Sequence, residues 1–208
     1  MKPDAMIHCP DFPCEDTRRA SYLIPDIDLD ASSIKIMLIS EANPEKLVDH
    51  YYAGPNALFA QTTLLAFQDA GAAVRSMHEI LDLGVYLTSA VKCGKTGYGI
   101  TTATIEHCSH MLEKEIALFP NVRVFLLMGD VAIKAVNSIA RRNKEARVIP
   151  AGATYKIRGG EYHFRGARAL PSYVQAGQAF FVEKSKRRMI AEDIRKALEI
   201  VKEADHER

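Results

Sequence analysis

The stretch VRVFLLMGDVAIKAV, Val122 to Val136, decides the fold. Its first part, Val122 to Met128, is an apolar run rich in β-prone residues and broken only by Arg123, which reads as a buried strand. Gly129-Asp130 punctuates the run. From Val131 to about Arg141 the apolar residues then recur at helical spacing. A strand that passes through one glycine straight into a helix is the repeating unit of an α/β protein.

Working outward, the same alternation recurs. Toward the N-terminus, a helix is expected from Thr101 or Thr102 to about Leu118, with a threonine as its cap and Ile105, Met111, Leu112 and Ile116 on its core face. Before it lies a strand, Val85 to Val91. A helix from Asn56 to Ala70 ends at Gly71, and a further strand runs from Ile34 to Ser40. Toward the C-terminus, short strands are expected at Arg147–Pro150 and Glu161–Arg168, then a last helix from about Gln178 to Ala204. Continuous apolar strands separated by helices predict a three-layer α/β/α sandwich around a mostly parallel, four-stranded sheet. The whole chain, 1–208, is expected to be one domain, with residues 1–30 as a Cys-containing flap that does not join the alternation. In such a sheet, ligands bind outside the carboxyl ends of the strands. Those ends are Ser40–Pro44, Lys92-Cys93-Gly94 and Gly129-Asp130.

Composition narrows the classes. Apolar content of 48% and charged content of 25% are those of a globular protein, and the net charge is only +1. A nucleic-acid partner would therefore need a local basic face. The sequence has one candidate, Lys156 to Arg168, where basic residues alternate with Tyr162 and Phe164. No run is long enough to span a bilayer and the N-terminus has no apolar leader, which points to the cytoplasm and away from membranes. A monomer is expected. The Gly94-Lys95-Thr96 triplet looks like the end of a phosphate-binding loop, but Ser89 stands where that loop needs its first glycine.

The cysteines carry more. Cys9 and Cys14 are separated by four residues, and Cys93 and Cys108 by fourteen. Cys93 ends a strand, and Cys108 lies about two turns into the next helix. Folding back could bring all four thiols together. Four cysteines with none to spare suit a zinc site or an iron–sulfur cluster, or four separate buried thiols. His8, His107 and His110 stand near enough to substitute as ligands.

Lys92-Cys93, then Cys108, then Leu112 to Val136 in that order of strand, helix and glycine turn resembles the iron–sulfur uracil-DNA glycosylases of families 4 and 5. SEANPE, Ser40 to Glu45, resembles their Gly-Glu-Ala-Pro-Gly catalytic loop. YYAGPNALF, Tyr51 to Phe59, resembles the stretch whose aromatic ring stacks on the flipped base. LPSYVQAG, Leu170 to Gly177, resembles their His-Pro-Ser loop that enters the DNA minor groove. The resemblance implies DNA as partner and excision of a uracil-type base. It implies a 4Fe-4S cluster on Cys9, Cys14, Cys93 and Cys108, zinc being the alternative. It further implies Glu41 as the catalytic carboxylate and Tyr52, Ser89 and Ala42 around the base. Leu170, Pro171, Ser172 and Lys92 would lie against the DNA. This sequence departs from the family where Ser89 replaces its Asn, Leu170 its His, and Ser40 its first Gly. Leu170 cannot donate a hydrogen bond to a departing base anion, and His163 and Ser172 are the candidates for that task. A catalytically inactive DNA-binding relative is the alternative reading.

Overall fold

The structure, a computed structural model, describes the backbone of residues 1–206 and the side chains of residues 1–204. Six strands form one sheet: β1 (Thr17–Arg18), β2 (Ile36–Asn43), β3 (Val85–Lys95), β4 (Val124–Met128), β5 (His163–Phe164) and β6 (Ala167–Ser172). The helices are α1 (Leu58–Asp69), α2 (Met77–Asp82), α3 (Thr102–Ala117), α4 (Asp130–Arg142), α5 (Thr154–Ile157), α6 (Ala179–Val182) and α7 (Lys184–His206). The sheet order is β1-β3-β2-β4-β6-β5. Its inner four strands are parallel, and a two-residue antiparallel strand is added at each edge. The expected four-stranded parallel sheet is thus present, and the edge strands raise the count to six.

Alternation along each strand sorts the core into two layers. Met37, Ile39, Phe125 and Leu127 face α3 and α4, with Leu112, Ile116 and Val136 opposite them. Ile36, Leu38, Leu126 and Leu170 face α1 and α7, with Phe67, Ile190 and Ile194 opposite. The connection from β2 leads to β3 on one side, while that from β3 crosses to β4 on the other. The chain therefore reverses direction across β2, and the carboxyl end of β2 is the switch point where such sheets open a crevice.

Three expectations change. Arg147–Pro150 is not a strand. The backbone N–H groups of Val148 and Ile149 both donate to Asn137 Oδ1 at 3.0 Å, and Asn137 Nδ2 donates to the Ile149 carbonyl at 2.9 Å. One side-chain amide of α4 stands in for a neighbouring strand. Glu161–Arg168 is a hairpin: His163 and Phe164 pair with Arg168 and Ala167 around Arg165-Gly166, both at positive φ, 50° and 83°. The second arm continues through Ser172, so Leu170, Pro171 and Ser172 lie in a strand and not in a loop. The last helix is broken at Glu183, between α6 and α7.

The N-terminal segment wraps the β3 edge. β1 pairs with Gly94 and Lys95, and the Leu23 N–H donates to the Lys92 carbonyl at 2.9 Å. Asn43, at the end of β2, ties this together. Its Nδ2 donates to the carbonyls of Lys92 (2.6 Å), Leu23 (2.9 Å) and Ser21 (3.5 Å). Among the described residues no helix is long and apolar enough to cross a membrane.

Candidate functional site

A cleft of about 710 Å³ opens at the carboxyl ends of β2 and β3. Its walls include Ser40, Glu41, Ala42, Phe59, Lys95 and Tyr98. Glu41 follows Ser40 on β2 and so points to the other side of the strand, toward the start of α4. Its Oε1 accepts from the Val131 N–H at 3.5 Å, where the positive end of the helix favours a carboxylate. Gly129 makes this approach feasible. Its φ is +100°, and a Cβ there would meet Val174 Cγ2 at 2.5 Å and Glu41 Oε1 at 2.6 Å. Glu41 thus has one oxygen against the helix and its side chain on the cleft wall.

Behind Ser40 lies a buried polar nest. Ser40 Oγ shares a short hydrogen bond with the Tyr51 hydroxyl. Gln175 Nε2 reaches Tyr51 Oη at 3.2 Å, Ser40 Oγ at 3.4 Å and Thr63 Oγ1 at 3.5 Å. Ser89 is level with Ser40 on the neighbouring strand. Three buried atoms here have no hydrogen-bond partner: Ser89 Oγ, Gln175 Oε1 and His50 Nε2. Unsatisfied polar atoms are uncommon in protein interiors, and three of them lie in the segments behind one cleft. Burial pushes the His50 pKa down to about 3, with the Lys92 charge adding to the shift, so the ring is neutral near pH 7. Burial raises the Tyr51 and Tyr52 hydroxyls.

The predicted base contacts separate on this geometry. Glu41 and Ala42 line the cleft, whereas Ser89 is buried beneath it. Tyr52 packs behind the wall, its hydroxyl accepting from the Leu87 N–H at 3.1 Å. The rings on the wall are Phe59, whose centroid lies 5.3 Å from that of Tyr51, and Tyr98. Phe59, Gln175, His50 and Tyr98 escaped the sequence reading. Phe59 and Gln175 carried a signal, as members of the quoted stretches YYAGPNALF and LPSYVQAG.

The predicted DNA contacts do not reach the surface. Lys92 is fully buried: its Nζ donates to Ser89 O at 2.5 Å and Thr88 Oγ1 at 2.8 Å, and it forms an ion pair with Glu115. Glu115 also accepts from the Tyr86 hydroxyl at 2.6 Å and from Thr88 Oγ1 at 2.9 Å. A lysine so enclosed is a structural cation and cannot meet a phosphate. Leu170 is 1% exposed in the apolar layer, and Pro171 is buried beside it. Ser172 Oγ donates to Asp193 Oδ2 at 2.6 Å, and Asp193 pairs with Arg158 at 2.7 Å. These residues hold the segment after them, Tyr173 to Gln178, against the cleft. The basic run Lys156–Arg168 is likewise engaged: Arg158, Arg165 and Arg168 pair with Glu192 and Asp193, with Glu113 and Glu145, and with Glu161. His163 is exposed on the edge strand β5 and does not line the cleft.

The four cysteines lie near enough to influence one another electrostatically, and among the described residues Cys9, Asp11 and His107 bring ligand atoms within 4.8 Å of one another. Burial pushes the Cys93 thiol up to about 11, with repulsion from Cys9 and Cys14 adding to it. Burial likewise pushes Cys108 up to about 12, with Cys14 and Cys93 contributing. Cys14 is raised by burial and, in smaller part, by Cys9. Thiols that are buried and repel one another as thiolates are the donor set a cation relieves. His107 Nε2 lies 3.8 Å from Cys9 Sγ and 3.6 Å from Asp11 Oδ1, offering an imidazole beside them. All four cysteines are free thiols. The donor chemistry fits an iron–sulfur cluster or zinc.

Comparison with known proteins covers the sheet and the cleft but not Cys9 and Cys14. The model of the uracil DNA glycosylase superfamily matches residues 28–197. A type-5 uracil-DNA glycosylase of Thermus thermophilus is 31% identical over 95 residues, which is 46% of this chain and 43% of that protein. The likeness therefore spans under half of the relative's length.

Proposed function

The chain belongs to the uracil DNA glycosylase superfamily, and on that footing we propose that it takes a deaminated, uracil-type base out of DNA and cleaves its N-glycosidic bond. The observation that carries the reading is Glu41, set on the cleft wall at the switch point of the sheet with α4 behind it.

The extruded nucleotide enters the cleft, and its base lies along Ala42 with the Phe59 ring as stacking wall. Tyr51 supports that ring from behind. The bond from sugar C1′ to the base breaks with its electron pair going to the base, leaving cationic character on the sugar. Glu41 stabilises that cation and orients the water whose oxygen bonds to C1′. The proton released by the water ends on the base. Anionic character on the base carbonyl calls for donors, and Leu170 supplies none. The nest behind Ser40 supports a replacement. The partners of the Gln175 amide are all hydroxyls, which donate or accept equally well, so the amide can present either of its ends.

Cys9, Cys14, Cys93 and Cys108 would hold a 4Fe-4S cluster, or zinc in its place. Bound there, the metal centre supplies a covalent tie that pins the N-terminal segment to β3 and α3. Lys92, Leu170, Pro171 and Ser172 serve DNA binding from beneath, by fixing the backbone that meets it.

The test is a base-release assay on oligonucleotides carrying uracil, hypoxanthine, xanthine or a mismatch, single- and double-stranded. Release of a base that drops about 100-fold in Glu41→Gln is the expected result. The apolar burial of Leu170 favours one second reading, a relative that binds the lesion without cleaving it. Salt-sensitive DNA binding with no release of any base would select that reading.

A further inference from the structure

The glycine-rich stretch after β3 has no part in the chemistry above, yet it forms one wall of the cleft. Lys95, Thr96, Gly97 and Tyr98 all line it. Tyr98 is 105% exposed, so no other part of the protein covers its ring. A tyrosine can bury about 150–250 Å² when it finds a partner. Leaving the whole ring in water at the mouth of a cleft forgoes all of that.

The loop is fixed at its stem and open at its tip. Asp16 holds both sides of the stem. Its carbonyl accepts from the Thr96 N–H at 3.1 Å, and its Oδ2 accepts from the Thr101 N–H at 2.6 Å. Between these anchors, Gly97 and Gly99 flank Tyr98. A Cβ at either glycine would meet nothing within 4 Å, so packing does not demand them. Their effect is to give the tip a wide choice of backbone conformations. The Lys95 Nζ donates to the Tyr98 carbonyl at 3.4 Å, placing a cation beside the backbone of the tip.

We propose that Tyr98 is a stacking residue, which inserts beside the extruded nucleotide and stacks on the neighbouring base. This rests on the glycosylase reading for its partner, DNA, and adds a residue to it. Proteins that unstack a duplex commonly insert an uncharged side chain at the step they open. Stacking on an aromatic ring is tolerant of sequence, since every base has a π face. The anchored stem supplies direction, the glycines supply reach and Lys95 supplies charge near the backbone.

The chain has no tryptophan, which makes the test direct. Tyr98→Trp introduces a single emitter at the loop tip. Tyr155→Trp does the same at a residue that is 60% exposed and does not line the cleft. Each variant is titrated with a duplex carrying a tetrahydrofuran abasic analogue, and binding is followed separately by the anisotropy of a dye on the DNA. Quenching of the residue 98 emitter in step with binding, without quenching at residue 155, is the expected outcome. Tyr98→Ala should weaken binding about tenfold or more while Tyr98→Phe retains it, because the ring and not the hydroxyl makes the contact. DNA bound with no quenching at residue 98, or bound equally well by Tyr98→Ala, overturns the stacking role and leaves the glycosylase reading standing. Absence of binding to any DNA overturns both.

Discussion

The cysteine corner and the cleft share strand β3, yet they are built in opposite ways. The corner gathers side chains from segments far apart in the chain: Cys9 and Cys14 before the sheet begins, Cys93 at a strand end, Cys108 inside a helix. Nothing in the sheet's own hydrogen bonding obliges them to meet. The cleft is made by the sheet itself, where the chain crosses over at β2 and leaves the strand ends Ser40–Ala42 facing the start of α4. One site depends on its side chains for its existence. The other depends on the backbone, and its side chains decide only what it does.

The sharpest way to break that contrast is to remove one thiol. On the proposed 4Fe-4S cluster, Cys93→Ala should abolish visible absorbance in anaerobically purified protein, and with either metal it should lower the melting temperature by about 10 °C or more. An unchanged spectrum and melting curve would mean that the thiols hold nothing, and that the corner is ordinary core. Between the two sites lies Lys92, one residue before Cys93 and bonded to the carbonyl of Ser89. Lys92→Met leaves the Glu115 carboxylate buried without its cation. Denaturant unfolding should report a loss of about 3–5 kcal/mol, most of it recovered in a double Lys92→Met, Glu115→Leu variant. Equal losses in the single and double variants would show that the strand needs the charges themselves. On the cleft side the effect is confined to acid pH. His50 has a folded-state pKa near 3 against 6.5 when free, so it is neutral in both states above pH 6.5 and contributes no slope there. Below that, the unfolded chain takes up a proton that the folded one refuses. Stability falls by about 1.4 kcal/mol per pH unit until pH approaches 3. Replacing His50 with Phe should remove that part of the acid slope. Identical slopes in both proteins would place the ring in contact with solvent.

The sequence was most legible where local pattern and tertiary burial agree. Val124–Met128 and Asp130–Arg142 lie within two residues of their expected bounds, because a buried parallel strand is apolar throughout and its helix repeats at 3.6. Strand β6 escaped because it reads ARALPS, with a proline in it. Pro171 pairs with Leu127 on one side, while β5 ends before it on the other, so its missing N–H leaves no neighbour unsatisfied. Glu41 was legible because strand ends host ligands in this architecture. Lys92 misled because its partner Glu115 lies on a different element, and a lysine beside a glycine-rich turn reads as exposed. Gln175, His50 and Tyr98 sit on connections, whose placement is set by what they pack against and not by any period in the chain.

The amide of Asn43 has a consequence for the order of assembly. It joins the carbonyls of Ser21 and Leu23 to that of Lys92, and the thiols at positions 9 and 14 wait for those at 93 and 108. The segment that leaves the ribosome early therefore cannot complete its contacts until Cys108 has followed. At ordinary rates of synthesis that wait is roughly 5–20 s. For that interval two free cysteines travel on an undocked chain, and the segment can settle only after the sheet has formed to receive it.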